Sequence, residues 1–178
     1  MRAHGNHIET DTAAAASCGV SIEIPGGTHY LFNNVILAGN GSVSAGVRTI
    51  DSGTSNYEIY NNAIRTGNGV AVNAGLFLEF SAPASLEFIN NLVDSTSANL
   101  TAVETDAGLD ASGAGLMILA NAFDDADHNV GIMITGDANY LDATDAQDGD
   151  PSFVYNIEKS FAFDSNGRIS SGLDANLA

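Results

Sequence analysis

With 178 residues, 44% of them apolar and no Trp, the chain is long enough for one domain with a substantial core. A formal charge of −17, from 22 acidic against five basic residues, excludes nucleic acid and anionic membrane surfaces as partners, because both are met through Lys and Arg. No run approaches the ~18 apolar residues of a membrane span, so no membrane insertion is expected, and 19 Gly with so few basic residues favours short strands and frequent turns over a helical bundle.

Residues 1–18 are polar and Ala-rich, and they read as an irregular lead-in or an incomplete first coil. The Ala13–Ser17 segment before the single Cys18 has no apolar stretch ahead of it, so no signal peptide is visible. The expectation is an extracellular or cell-surface protein, mature or a piece of a longer one. His4 and His7 with Glu9 and Asp11 have ligand-like spacing, but a polar terminus offers little to fix them.

From Gly19 a repeating element begins. Gly19-Val20-Ser21-Ile22-Glu23 matches Gly46-Val47-Arg48-Thr49-Ile50 and Gly75-Leu76-Phe77-Leu78-Glu79, with Gly131-Ile132-Met133-Ile134 as a later copy. Alternation places Val20 and Ile22 on one face and Ser21 and Glu23 on the other, the period of a half-buried strand. A second element follows each of the first three copies. Tyr30-Leu31-Phe32-Asn33-Asn34-Val35-Ile36 recurs as Glu58-Ile59-Tyr60-Asn61-Asn62-Ala63-Ile64, as Glu87-Phe88-Ile89-Asn90-Asn91-Leu92-Val93, and in degenerate form as Met117-Ile118-Leu119-Ala120-Asn121-Ala122-Phe123. The second Asn falls at 34, 62, 91 and 121, a period of 28 to 30 residues. Such a period marks a coiled repeat. Returns rich in Gly, Asn and Ser, such as Gly39-Asn40-Gly41-Ser42 and Thr66-Gly67-Asn68-Gly69, supply the sharp reversals.

The pattern stops after 135. An acidic stretch follows, with Asp142, Asp145, Asp148 and Asp150, and then residues 152–178 with Phe153, Tyr155, Phe161 and Phe163. A solenoid leaves its last apolar rung bare, so this aromatic segment is expected to cap the coil formed by 19–151.

The repeat, with its strands and Asn turns over 19–135, resembles the right-handed parallel β-helix of the pectate-lyase-like superfamily. The fold class expected is therefore all-β, a single-stranded solenoid of about five coils. The resemblance implies that Asn34, Asn62, Asn91 and Asn121 stack coil upon coil as an internal amide ladder. It also implies a polysaccharide as partner, bound or, within a larger protein, cleaved by a lyase or hydrolase. The alternative is a non-enzymatic adhesin or structural spacer. A capless first coil would require a further domain or chain at the N-terminal end.

Several residues are candidates for chemistry. Glycoside hydrolysis needs paired carboxylates, and aligning the Gly positions stacks Ser21, Arg48 and Phe77 in one outward column and Glu23, Ile50 and Glu79 in the next. Glu23, Glu79 and Arg48 are thus the catalytic candidates, against the plainer reading of a solvated, charge-balanced face. The stretch Arg2-Ala3-His4-Gly5-Asn6, with His29 further on, is faintly similar to part of the alginate and chondroitin lyase family, whose Lys is missing here. Residues just before the Asn pair point outward if their neighbours point in, which gives an apolar column of Phe32, Tyr60, Ile89 and Leu119. Phe32 and Tyr60 are candidates for a sugar-stacking platform, with Arg65 and Phe77 as further binding residues; covering of the column by the aromatic tail is the plainer expectation. Asp124, Asp125 and Asp127 have the composition of a calcium site, the only cofactor the sequence suggests.

Overall fold

The computed structural model describes residues 1–23, 26–80, 83–97, 100–105, 115–124, 131–134, 138–140, 153–158, 161–164 and 169–171. The chain runs through β1 (Arg2–His4), β2 (His7–Glu9), β3 (Ala16–Ile22), β4 (Gly27–Phe32), β5 (Val35–Leu37), β6 (Gly41–Ile50), β7 (Ser55–Tyr60), β8 (Ala63–Thr66) and β9 (Gly69–Glu79). It continues through β10 (Ser85–Ile89), β11 (Leu92–Ser95), β12 (Thr101–Thr105), β13 (Gly115–Leu119), β14 (Ala122–Phe123), β15 (Gly131–Ile134), β16 (Ala138–Tyr140), β17 (Phe153–Val154) and β18 (Ile157–Glu158). A last antiparallel pair joins β19 (Ala162–Phe163) to β20 (Ile169–Ser171). No helix occurs among the described residues, so none is long and apolar enough to cross a membrane.

From β1 to β15 every third strand stacks in parallel, which makes the chain a β-solenoid. Sheet A has the order β1-β4-β7-β10-β13-β17, sheet B has β2-β5-β8-β11-β14-β18, and sheet C has β3-β6-β9-β12-β15, closed by antiparallel β16. Residues 1–18 take part in this stack: Arg2 to His4 pair with Tyr30 to Phe32, and His7 to Glu9 pair with Val35 to Leu37. At the other end, Phe153 and Val154 pair with Ile118 and Leu119, and Ile157 with Ala122, so the first part of the 152–178 segment continues the coils.

The core is a set of inward columns. Leu31, Ile59, Phe88 and Ile118 stack from sheet A, Ile36, Ile64, Val93 and Phe123 from sheet B, and Val47, Leu76 and Val103 from sheet C. These side chains are buried, each contributing about 2 kcal/mol of transfer free energy. The strands of sheet C keep a Gly where the core is narrowest. A Cβ on Gly46 would lie 2.1 Å from Ile64 Cγ2, and one on Gly19 would lie 2.2 Å from Ile36 Cγ2, so only Gly lets the two sheets close.

The turn from sheet A to sheet B holds the amide ladder expected from the repeat. The backbone N–H and Nδ2 of Asn34 both donate to Asn62 Oδ1 at 3.0 Å, and Asn62 donates likewise to Asn91 at 3.0 and 2.9 Å. Asn91 donates to Asn121 at 2.8 and 3.1 Å. Each Nδ2 has a second acceptor in the coil before, such as Leu31 C=O for Asn62 at 3.0 Å. The ladder is longer than the repeat suggested. Asn6 donates to Asn34 at one end, and Asn121 donates to Asn156 at the other, across a longer spacing of 35 residues. The residue before each rung is left-handed: φ is 53° at Asn33, 55° at Asn61, 54° at Asn90, 53° at Ala120 and 56° at Tyr155. Asn adopts this conformation readily, whereas Ala120 and Tyr155 do so at a cost of roughly 1–2 kcal/mol each.

A second polar relay lines the turn from sheet B to sheet C. Gly39 N donates to Ser17 Oγ and Gly67 N to Ser44 Oγ, both at 2.9 Å, while the two hydroxyls donate to Asp11 C=O and Gly39 C=O. These serines are in register on β3 and β6, and each ties its own coil to the turn of the next or previous one.

Replacing Asn91 by Ala removes the acceptor of Asn62 N–H and Nδ2 and the donor to Ile59 C=O and Asn121, all buried. Chemical denaturation should show a loss of about 3 kcal/mol. Asn61→Gly, at an exposed left-handed position, should stay within about 0.5 kcal/mol of the parent.

Candidate functional site

With the inward positions committed to the core, chemistry is left to the three outward faces. Sheet C holds the expected column in the expected register, Ser21 beside Arg48 beside Phe77, with Ile50 beside Glu79. Arg48 Nε donates to Glu79 Oε2 in an ion pair across adjacent coils. This bond is the main reason the guanidinium's proton is held more tightly than usual. Glu23 is exposed and accepts from Ser21 Oγ at 3.0 Å. Of the three candidate catalytic residues, Arg48 and Glu79 therefore come together as an ion pair, while Glu23 bonds to Ser21. Beside them burial pushes the Cys18 thiol up, and Arg48 only partly offsets this, so the thiol is not an activated nucleophile. Phe77 departs from the exposed position that alternation suggests. It is 5% exposed and packs on Ala45 and Ala74, with Cys18, Val43 and Val72 around it, in a small apolar cluster separate from the main core. Its ring is not available for binding.

Sheet B is covered. Phe161 and Phe163 are buried with Ala122 and pack on Ala63, Leu92 and Ile157, the outward column of that sheet. Phe161 and Phe163 thus shield sheet B, not the Phe32 column for which the sequence suggested the tail. Arg65 holds this cover in place. Its Nε donates to Asp94 Oδ2 at 2.6 Å, its Nη2 to Phe163 C=O at 3.0 Å, and its guanidinium lies 5.2 Å from the Phe163 ring centroid. Asp124 Oδ1 accepts from Phe161 N at 3.0 Å. Burial raises the Asp94 carboxyl's pKa, Arg65 opposes the rise, and the neighbouring Asp124 adds to it. Asp125 and Asp127, the other two candidate calcium ligands, lie outside the described residues. Among the described residues no group of three or more His, Cys, Asp or Glu side chains is arranged to hold a metal.

Sheet A keeps an open outward face. Phe32, Tyr60, Ile89 and Leu119 are in register and half-buried, as the repeat predicts. The Phe32 and Tyr60 rings stack with centroids 5.1 Å apart and planes 29° from parallel, and Tyr30 leans on Phe32 at 5.7 Å. Next to this column runs a second one, Arg2, Tyr30, Glu58, Glu87 and Met117. Tyr60 Oη donates to Glu87 Oε2. Burial pushes the Tyr60 hydroxyl's pKa well up, and the Glu87 and Glu58 carboxylates push it further. On the other flank Asn33, Asn61 and Asn90 are exposed, with Asn90 Nδ2 donating to Asn61 Oδ1 at 2.7 Å. Where this row ends, a shallow cavity of about 180 Å³ lies between Asn90, Leu92, Ala120 and the exposed Tyr155. Sequence reasoning found Phe32 and Tyr60 but passed over Glu58 and Glu87. The signal was present, since both precede the Asn pair by the same distance in consecutive repeats.

One strongly perturbed group lies inside the coil. Asp51 is 5% exposed and accepts from Tyr57 Oη at 2.6 Å, Gly53 N at 2.6 Å and Thr54 N at 3.0 Å. Tyr57 in turn stacks on buried His29 at 5.2 Å, and His29 Nδ1 is 3.3 Å from the terminal amine. His29, a basic residue considered with the lyase resemblance, is therefore part of the interior.

No protein-family model, no curated protein and no solved structure matches the chain.

Burial alone would raise the Asp51 pKa, but the hydroxyls of Tyr57 and Ser55 and the two backbone N–H groups outweigh it and hold it at about 2, against an ordinary 3.8. A depressed carboxyl stabilises the fold fully above its unfolded pKa and loses that contribution as pH falls through the folded one. Asp51 should therefore contribute about 2 kcal/mol at neutral pH, vanishing as pH drops from 3.8 to about 2. Urea titrations of Asp51→Asn across that window should show a flatter pH dependence than the parent.

Proposed function

We propose that this chain is a carbohydrate-binding β-solenoid module of the pectate-lyase-like kind, working outside the cell or at its surface, and that it binds along the outward face of sheet A. The observation that carries this reading is the half-buried Phe32–Tyr60 stack, bordered on one side by the exposed amides of Asn33, Asn61 and Asn90 and on the other by Glu58 and Glu87. Aromatic rings beside amides and carboxylates are the usual means of holding a sugar, the ring meeting C–H groups and the polar groups meeting hydroxyls. Strand spacing sets successive rings, amides and carboxylates ~4.8 Å apart along the axis, so an extended glycan lying across the coils meets them in turn.

Binding is favoured over catalysis because Arg48 and Glu79, two of the three catalytic candidates, are spent on each other. A lyase or hydrolase activity would belong to a larger protein containing this module, with any calcium site completed outside the described residues. A second reading, a purely structural spacer, is favoured by one observation: Arg48 and Arg65 each serve an ion pair within the solenoid.

Glycan arrays separate binding from spacer. Wild-type protein should bind a restricted set of polysaccharides, and Tyr60→Ala should weaken that binding about tenfold or more. Absence of binding, or equal binding by the variant, would leave the spacer reading.

A further inference from the structure

Resting on that reading, we infer that the glycan recognised on sheet A is cationic: an amino-sugar polymer whose protonated amine is received by Glu58 and Glu87 beside the Tyr30, Phe32 and Tyr60 rings. Glu58 and Glu87 are direct register partners on neighbouring strands, one coil apart on the same outward face. Two like charges so placed repel each other and destabilise the sheet. Two other outward carboxylates are met by a guanidinium, Glu79 by Arg48 and Asp94 by Arg65. At Glu58 and Glu87 no described cation pairs with either carboxylate. Arg2, the basic residue in the same column, sits one strand beyond Tyr30 with its guanidinium 5.8 Å from that ring's centroid. What stands between the two carboxylates is the Tyr60 hydroxyl, which has a single proton to donate and donates it to Glu87.

The surroundings suit a bound ammonium. Rings on the same face add the attraction of their π-systems for a cation, and a partly desolvated carboxylate pair gains more from a charge-assisted hydrogen bond than an exposed one. Overall charge agrees: at −17 the molecule repels a uronate polymer and attracts a polyamine. An extended amino-sugar chain running along the solenoid axis would set its apolar ring faces against the aromatic column and an amine against the acidic one.

Calorimetry with a fully deacetylated chitosan oligosaccharide, the matching N-acetylated chitin oligosaccharide, a neutral cello-oligosaccharide and oligolysine tests this, at physiological salt and a pH that keeps the amine protonated. The deacetylated oligosaccharide should bind best. Glu58→Gln and Glu87→Gln should each weaken it about tenfold, while Glu23→Gln, the same charge change on the exposed part of sheet C, should leave it within twofold. The thermal midpoint should rise in Glu58→Gln, because a like-charge pair is relieved; a carboxylate kept for structure would give the opposite sign. Equal binding of the neutral oligosaccharide would overturn the cationic assignment and leave the carbohydrate reading standing. No binding of any sugar would overturn both. Oligolysine binding as tightly, with the same sensitivity to Glu58→Gln, would reassign the face to a basic peptide.

Discussion

The structure depends on one repeated hydrogen-bonded unit, an Asn side-chain amide buried between coils. Asn62 illustrates its logic: Oδ1 accepts from the backbone and the amide of Asn34, and Nδ2 donates to Leu31 C=O and to Asn91. Every donor and acceptor of the amide is used, which is the condition for placing it in a dry turn. The partners belong to the coils before and after, so a rung is satisfied only when its neighbours are in register. A slip by one residue would orphan several buried groups and turn Leu31, Ile59 and Phe88 outward together. The ladder thus fixes the register of sheets A and B, and the Ser17 and Ser44 relay does the same at the entry to sheet C.

Because the interior is settled by these positions, the outward faces differ freely. Sheet B is roofed by Phe161 and Phe163, sheet C is balanced by Arg48 and Glu79, and sheet A is left with rings, amides and two carboxylates. The asymmetry follows from where the chain's few cations fall. Arg48 and Arg65 occupy sheets C and B, and the outward columns of sheet A have only Arg2 and His4, both on its edge strand β1.

The legible part of this arrangement is the part that repeats with unchanged chemistry. Asn34, Asn62, Asn91 and Asn121 announce the ladder because the same amide returns with the same apolar flanks. Asn6 and Asn156 occupy equivalent places, yet Gly5 and Tyr155 replace the left-handed Asn before them, and the last spacing stretches to 35 residues. Backbone geometry was kept while the letters changed. Ser17 and Ser44 were passed over for a related reason, since their register partner in the next coil is Asn73, which bonds instead to Ser95. Phe77 misled because strict alternation describes a flat strand facing solvent, whereas β9 folds this ring back onto Ala45 and Ala74. At sheet A the Phe32–Tyr60 column follows from register alone. The meeting of Glu58 and Glu87 at the Tyr60 hydroxyl depends on how far side chains reach, which a period does not specify.

A solenoid turns a sequence period into a ruler, and the length of matched chemistry along that ruler limits what it can hold. The aromatic column spans Phe32 and Tyr60 before passing to Ile89 and Leu119, and the acidic column spans Glu58 and Glu87. Together they cover three neighbouring strands, two spacings of ~4.8 Å, or roughly 10 Å. A ligand gripped over that distance offers only two or three units of an extended polymer, so a single contact is modest in strength. Tight attachment to a polymer would then come from several modules, or several copies of one protein, engaging the same chain, where effective concentration supplies what one face does not. The same limit explains why sheet A tolerates the carboxylate pair: the repulsion is confined to one register step, and the amide ladder beneath it holds the coils together regardless.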